Sequence, residues 1–171
     1  MLAVALSRRN FREFDQMISL YTEDLGKVEL LARGIKKITS KQAAHVEPFS
    51  LVTIEIAAGK EIDHLTKAQA VTLFPGIRND FEKTVLATTA VSLIDTMVEP
   101  GEPDRRVYET VVSWLNYLDD ANQADALLLD SLVLKLLHYW GFTPTADKEM
   151  QTPEIISLLA SDWKDILHLG D

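Results

Sequence analysis

The period of the hydrophobic pattern changes near Gly76, and this change limits the folds that the chain can adopt. Before Gly76, five short apolar runs alternate with polar residues and are separated by glycines or polar turns. They lie at about residues 2–7, 17–22, 27–33, 49–56 and 65–74. A period of two over short runs is typical of strands. The first part of the chain is therefore predicted to form a small antiparallel β-barrel.

After this change, apolar residues recur every three or four positions, which predicts helices. Phe81, Val85 and Thr88 occupy the recurring positions of the first helix. Asp104 is a good N-cap for the second helix. The third helix ends at Gly141 and is apolar nearly all round, so it is predicted to be the buried centre of the helical part. The predicted helices lie at about residues 78–98, 105–118, 124–140 and 153–168.

The chain has 171 residues, and the change of period divides it into residues 1–76 and 77–171. We expect an α+β protein with a barrel domain followed by a helical domain. The longest stretches without Asp, Glu, Lys or Arg have 11 residues, whereas a membrane-spanning helix needs about 20 apolar residues. Arg8 and Arg9 follow the N-terminal apolar run, which is the wrong order for a secretory signal. A cytoplasmic protein is expected.

The chemistry available to the chain is limited by what its sequence lacks. There is no cysteine, which excludes disulfides, thiol nucleophiles and thiolate zinc sites. No glycine-rich phosphate loop, metalloprotease motif or nucleophile elbow is present, and the four histidines do not cluster in the sequence. Trp114, Trp140 and Phe142 lie on predicted helices or at a helix end, where core packing is favoured over base stacking. We expect no catalytic residues, no metal and no cofactor.

The net charge of −9 is unevenly distributed. Residues 1–76 have a net charge of +1, whereas residues 77–171 have a net charge of −10. Within residues 27–41, five cations face a single acid, Glu29, for a net charge of +4. A local basic patch in an acidic protein indicates either a binding site for a polyanion or an ordinary solvated loop.

Strand geometry favours the polyanion site. Lys27 and Arg33 are separated by an even number of residues and therefore share one face of the third predicted strand. Lys36, Lys37 and Lys41 follow on the connecting loop, and Arg8, Arg9 and Arg12 end the first strand. A basic strand face continued by a basic loop can follow a phosphate backbone without reading bases. We expect one continuous basic face.

The order of these motifs resembles the bacterial RecO family of recombination mediators. The resemblance spans essentially the whole chain and is most specific at Lys27–Lys37. The matching segments are Leu6–Asp15, Ile18–Thr22, Gly26–Lys37, Pro48–Phe49, Ala58–Lys60, Phe74–Arg78, Pro100–Asp104 and Tyr139–Pro144.

The resemblance implies an N-terminal OB-fold, a helical C-terminal domain and a non-enzymatic role in DNA repair at the nucleoid. Family members bind single- and double-stranded DNA, anneal complementary strands and, with RecR, help load RecA onto strands covered by single-strand-binding protein. The basic positions that carry over are Arg8, Arg9, Lys27, Arg33, Lys36, Lys37 and Lys41.

Two departures from the family pattern leave other functions open. Residues 145–151 are short and cysteine-free where many members carry a four-cysteine zinc module, so zinc is not expected. The chain is also shorter than is usual for the family. One alternative is a docking protein that binds RecR or single-strand-binding protein and has weak affinity for DNA. The other is an enzyme whose histidine or carboxylate pair forms only in the folded chain.

Overall fold

A computed structural model of the protein describes residues 1–38 and 40–141. Five strands are followed by four helices, with one turn of 3-10 helix at Ala43–Val46. The strands are β1 (Leu2–Asn10), β2 (Gln16–Thr22), β3 (Gly26–Ala32), β4 (Leu51–Ala57) and β5 (His64–Thr72). The helices are α1 (Pro75–Arg78), α2 (Phe81–Met97), α3 (Arg105–Asp120) and α4 (Ala126–Tyr139).

The five strands close into a barrel in the order β1-β2-β3-β5-β4. Neighbouring strands are antiparallel, except that β3 and β5 meet in parallel through the single pair Leu31 and His64. The predicted barrel is confirmed, each predicted strand overlaps an observed one, and the architecture is that of an OB-fold followed by helices. Within the described residues, no helix is long and apolar enough to cross a membrane.

Alternation along the strands fills the barrel interior, because successive side chains point to opposite faces. On β3, Val28, Leu30 and Ala32 point inward, as predicted from the period of two. The same alternation on β1 sends Ala3 and Ala5 inward, and the outward-facing Val4 and Leu6 are nevertheless buried. The outer face of β1 is therefore covered, and the element that covers it is α2.

Polar contacts join the barrel to α2 and to the segment that follows it. Asp95 on α2 accepts hydrogen bonds from Ser7 Oγ at 2.6 Å and Ser19 Oγ at 2.5 Å, and it pairs with Lys27 Nζ at 3.1 Å. Gly26 has a φ of +67°, and a β-carbon there would collide with the carbonyl group of Glu102. The barrel can approach this segment closely only because residue 26 is a glycine.

The helices that follow the barrel are held by two cations, the half-buried Arg78 and the buried Lys83. The guanidinium of Arg78 lies 4.3 Å from the ring centroid of Phe49 and donates to Ser50 Oγ at 2.8 Å. Lys83, only 5% exposed, donates from Nζ to the backbone carbonyls of Asp119 and Ala121, where α3 ends. Helix carbonyls at this end have no partner within the helix, so a lysine can cap them. The barrel and α1–α3 form one compact unit, Met1–Asp125.

The first recurring apolar positions of α2 are exposed, whereas the predicted start of α3 is confirmed. On α2, the recurring positions Phe81 and Val85 are 83% and 46% exposed, and Ala87, Ala90 and Ile94 are among the buried residues instead. The Asp104 side chain caps α3 as predicted, because it accepts from the backbone N–H of Arg106.

The second compact unit, residues 126–171, contains α4. α4 is not buried all round as predicted, because Leu127 is 67% exposed. Its buried residues lie on one side, at Leu129, Leu132, Val133, Leu136 and Leu137. Gly141, with a φ of +81°, follows α4 as expected for a C-terminal cap. The predicted fourth helix at 153–168 lies outside the described residues.

Candidate nucleic-acid interface

Two loops are tied together at one end of the barrel. One joins β1 to β2 (residues 11–15), and the other begins the connection from β3 to β4 (residues 33–38, 40 and 41); we call them the paired loops. Asp15 Oδ1 accepts from the backbone N–H of Gly34 at 2.8 Å, and Lys36 N donates to the carbonyl oxygen of Phe14 at 3.1 Å. Gly34 has a φ of +65°, a conformation that glycine adopts readily.

The paired loops carry five cations and two carboxylates, Glu13 and Asp15, for a net charge of +3. All five cationic residues are exposed. None of them forms an ion pair with a carboxylate in the part of the chain that the structure describes. These side chains are therefore available to an external anion. They are Arg12, Arg33, Lys36, Lys37 and Lys41.

Arg8 and Arg9 lie beside the paired loops and are partly neutralised. Arg8 pairs with Glu47 at 2.7 Å and donates to the carbonyl oxygen of Ala43. Arg9 points to the outer face of β3, where it pairs with Glu29 at 3.5 Å and its side chain is 64% exposed. The structure thus places four of the predicted residues on the paired loops and these two at their margin.

Lys27 does not lie on this surface, so the prediction of one continuous basic face is wrong at this position. Its side chain is only 12% exposed, and its ammonium group contacts both the carboxylate and the backbone carbonyl of Asp95. Lys27 and Arg33 are separated by an even number of residues, as predicted. At the Gly26 end, however, Asp95 of α2 and the segment 100–103 lie against β3. Lys27 therefore joins the barrel to α2, and its charge is already compensated.

The cleft in which many OB-folds hold their ligand is acidic in this protein. It lies between residues 11–15 and the β4–β5 connection and has a volume of about 400 Å³. Phe11 forms part of its wall, and its charged lining residues are Arg9, Glu29, Glu61 and Asp63. In other OB-folds, the face of strands 2 and 3 with these two loops binds oligonucleotides. Here the three carboxylates oppose a phosphate backbone, so the basic surface lies to one side of this cleft.

Sequence reasoning missed two exposed aromatic residues of the paired loops. Phe11 and Phe14 are 40% and 45% exposed. Trp114, for which core packing was predicted, is buried, while Phe142 lies outside the described residues. The signal that could have found Phe11 and Phe14 is the segment Phe11–Phe14 itself, where two aromatic residues flank an arginine in a predicted turn.

Comparisons with known proteins agree with this architecture. The family model described as Recombination protein O N terminal matches residues 2–74, and the model described as Recombination protein O C terminal matches residues 78–167. The first match covers the barrel, and the second begins at the end of α1. The chain belongs to the RecO family, whose curated relatives are named for DNA repair.

Three curated relatives illustrate the similarity, and each is named DNA repair protein RecO. The relative from Geobacter metallireducens is 32% identical over 139 residues, covering 80% of this chain and 57% of its own length. The relative from a Nocardioides species is 28% identical over 145 residues, covering 84% and 59%. The relative from Geobacter sulfurreducens is 31% identical over 139 residues, covering 80% and 57%. The chain thus spans a little over half the length of these relatives.

Proposed function

We propose that this chain is a non-enzymatic DNA-binding protein of recombinational repair. In this proposal it binds single- and double-stranded DNA through the paired loops, without preference for base sequence. The observation that carries the proposal is the group of five exposed cations on two loops that hydrogen bonds hold together. Arg8 and Arg9 supply secondary contacts at the margin, and Lys27 makes none.

The chemistry of these side chains suits phosphate rather than bases. Lysine ammonium groups attract phosphate as point charges, and arginine can bind it in a bidentate manner. Each phosphate that a cation neutralises releases condensed counterions, so affinity should fall steeply as salt rises. Since a loop rather than a helix carries the charge, the major groove is not read, and affinity should depend little on sequence.

The same surface supports strand annealing. Two complementary strands repel each other, and a basic surface that holds one of them lowers this repulsion for the other. We propose that the chain anneals complementary strands and, with RecR, helps to load RecA onto DNA covered by single-strand-binding protein. The resemblance to RecO supports this role, and the family membership agrees with it.

The test of the proposal reverses the charge of the paired loops. The double variant Lys36→Glu/Lys37→Glu should bind a 20-nucleotide single strand about tenfold or more weakly than wild type at 0.1 M salt. The slope of log affinity against log salt should flatten by roughly 0.7 for each phosphate that the variant no longer neutralises on a single strand, and by roughly 0.9 on a duplex. Fluorescence anisotropy over a salt series measures both quantities.

The matched control is Lys60→Glu/Lys135→Glu, which changes the net charge equally at two exposed lysines outside the paired loops. It should keep nearly the wild-type slope, and circular dichroism should show both variants folded. If the Lys36→Glu/Lys37→Glu variant is folded and binds with wild-type affinity and slope, the paired loops are not the DNA site. Wild-type binding that is weak and independent of salt would favour a docking protein for RecR or single-strand-binding protein.

A further inference from the structure

Phe11 and Phe14 are the exposed members of the four phenylalanines in residues 1–74. Phe49 and Phe74 are 3% and 1% exposed, whereas Phe11 and Phe14 keep 40% and 45% of their surface in solvent. Phenylalanine gains more from burial than most residues, since each ring can bury a large apolar area. Two exposed rings on one five-residue loop, beside five cations that pair with no carboxylate among the described residues, therefore suggest a binding role.

The loop that carries these rings is held in a defined shape. Phe11 N and Arg12 N both donate to the carbonyl oxygen of Asp15, at 3.1 and 3.3 Å, and Asp15 N donates to the carbonyl oxygen of Arg12. The Asp15 carboxylate fixes the loop to Gly34. The rings are thus presented by an ordered backbone, and binding does not have to order it.

Each ring has a cation near its face. The guanidinium carbon of Arg12 lies 5.2 Å from the Phe11 ring centroid, and Lys37 Nζ lies 5.9 Å from the Phe14 ring centroid. These distances are within the range of cation–π attraction, which is weak at exposed sites. Because this attraction is weak, a flat aromatic ligand can displace the cation from the ring face. The displaced cation then stays close enough to contact an anionic group of the same ligand.

We propose that Phe11 and Phe14 form a stacking platform for unpaired bases of a single strand whose phosphates contact the cations of the paired loops. This inference rests on the proposed function and adds a preference for single strands. Any of the four bases can stack on a phenylalanine ring, because every base has a flat aromatic face. The phosphate of the stacked nucleotide can then contact Arg12 or Lys37. Bases inside a duplex are stacked on each other and cannot use the platform.

The platform makes a contribution that salt does not screen. Phosphate contacts set the slope of affinity against salt, whereas stacking adds affinity at every salt concentration. Removal of the rings should therefore lower affinity without changing the slope. Removal of the Lys36 and Lys37 charges should change the slope, so the two parts of the site give distinct results in one experiment.

The test compares Phe11→Leu/Phe14→Leu with wild type on a 20-mer of deoxythymidine and on a duplex of the same length. The double variant should bind the single strand roughly tenfold or more weakly, keep the wild-type salt slope, and change less than about threefold on the duplex. Phe81→Leu is the matched control, since Phe81 is 83% exposed on α2, and it should bind both ligands as wild type does. Leucine keeps the loop apolar, and circular dichroism verifies folding.

A second variant reports on stacking directly. Phe14→Trp should retain single-strand affinity, and its indole fluorescence should be quenched when the oligonucleotide binds. The same series with a 20-mer of uridine separates DNA from RNA, and a decrease in affinity confined to RNA would contradict the assignment to DNA.

The two proposals fail in different ways. If Phe11→Leu/Phe14→Leu binds the single strand as tightly as wild type while Lys36→Glu/Lys37→Glu does not, the platform is wrong and the proposed function stands. If wild type itself shows no salt-dependent binding to DNA, the proposed function is wrong.

Discussion

Lys27 and Lys36 carry the same charge nine residues apart, and their surroundings give them different roles. Lys27 Nζ pairs with Asp95 at 3.1 Å in a network that also contains Ser7 and Ser19, and its side chain is 12% exposed. Lys36 is exposed, its backbone N–H donates to the carbonyl oxygen of Phe14, and its ammonium group forms no ion pair with a described carboxylate. A partly buried ion pair with further hydrogen bonds contributes to folding, whereas an exposed unpaired lysine contributes little.

The first residue-scale prediction concerns the variants Lys27→Met and Lys36→Met, which should have opposite effects. Lys27→Met leaves the Asp95 carboxylate without its cation and should lower the free energy of unfolding by about 1–2 kcal/mol. It should leave the salt slope of DNA binding unchanged. Lys36→Met should change stability by less than about 0.5 kcal/mol and should flatten the slope. Urea unfolding and oligonucleotide titration test both variants, and a flatter slope for folded Lys27→Met would contradict this assignment.

At the scale of elements, the sequence predicted the strands better than the faces of the helices. Strand alternation identifies which side of β3 holds Val28 and Leu30, since one side of a closed barrel must face its interior. Residues 84–94 of α2 contain no charged residue, so no charged stripe marks the solvent face. The buried residues of α2 include the small Ala87 and Ala90, and small side chains let a helix approach its neighbours closely.

The same limit explains which part of the site was predicted. The cluster Arg33, Lys36 and Lys37 could be predicted because its charges and the turn at Gly34 come from residues that are adjacent in the sequence. The burial of Lys27 could not be found, because it depends on where Asp95 lies, 68 residues away along the chain. Periodicity separates the two faces of a strand. It does not show where along one face another element packs.

Tyr108 on α3 gives an element-scale prediction about alkaline pH. Burial, together with the nearby carboxylates of Glu23 and Asp24, raises the pKa of Tyr108 to about 12 from its ordinary value of 10.0. Between pH 10 and pH 12 the unfolded chain therefore releases this proton while the folded protein keeps it. The contribution of Tyr108 to stability is fully present below pH 10 and is lost as pH rises through this window.

Tyr108→Phe should remove that pH dependence. Its midpoint of urea unfolding should fall less between pH 9 and pH 11.5 than the wild-type midpoint does. Tyr117→Phe is the control, because Tyr117 is 63% exposed on the same helix. The unfolding midpoint of this control should fall as much as the wild-type midpoint does. Equal falls for wild type and Tyr108→Phe would show that this phenol does not contribute to the alkaline decrease in stability.

At the scale of the barrel, charge and coverage together determine which side is open to the proposed DNA ligand. The face of strands 2 and 3 is covered at the Lys27 end by α2 and by residues 100–104. Its open part is the acidic cleft with Glu29, Glu61 and Asp63. The barrel therefore has an OB-fold topology but a displaced basic surface. In the proposed function, a strand held by Lys36 and Lys37 runs along the rim of the cleft, where Phe11 lies, rather than through it.

This path predicts different effects for two charge reversals of equal size. Glu13→Lys adds a cation within the paired loops and should tighten single-strand binding several-fold, with a salt slope steeper by roughly 0.7 for one additional neutralised phosphate. Glu61→Lys makes the same change of charge in the cleft. If the strand runs along the rim of the cleft at Phe11, Glu61→Lys should tighten binding less than Glu13→Lys does at 0.15 M salt, where the Debye length is about 8 Å. Both glutamates are exposed, so neither reversal should impair folding. Titration of one oligonucleotide over a salt series compares the two variants directly, and a larger gain in affinity from Glu61→Lys than from Glu13→Lys would place the strand in the cleft instead.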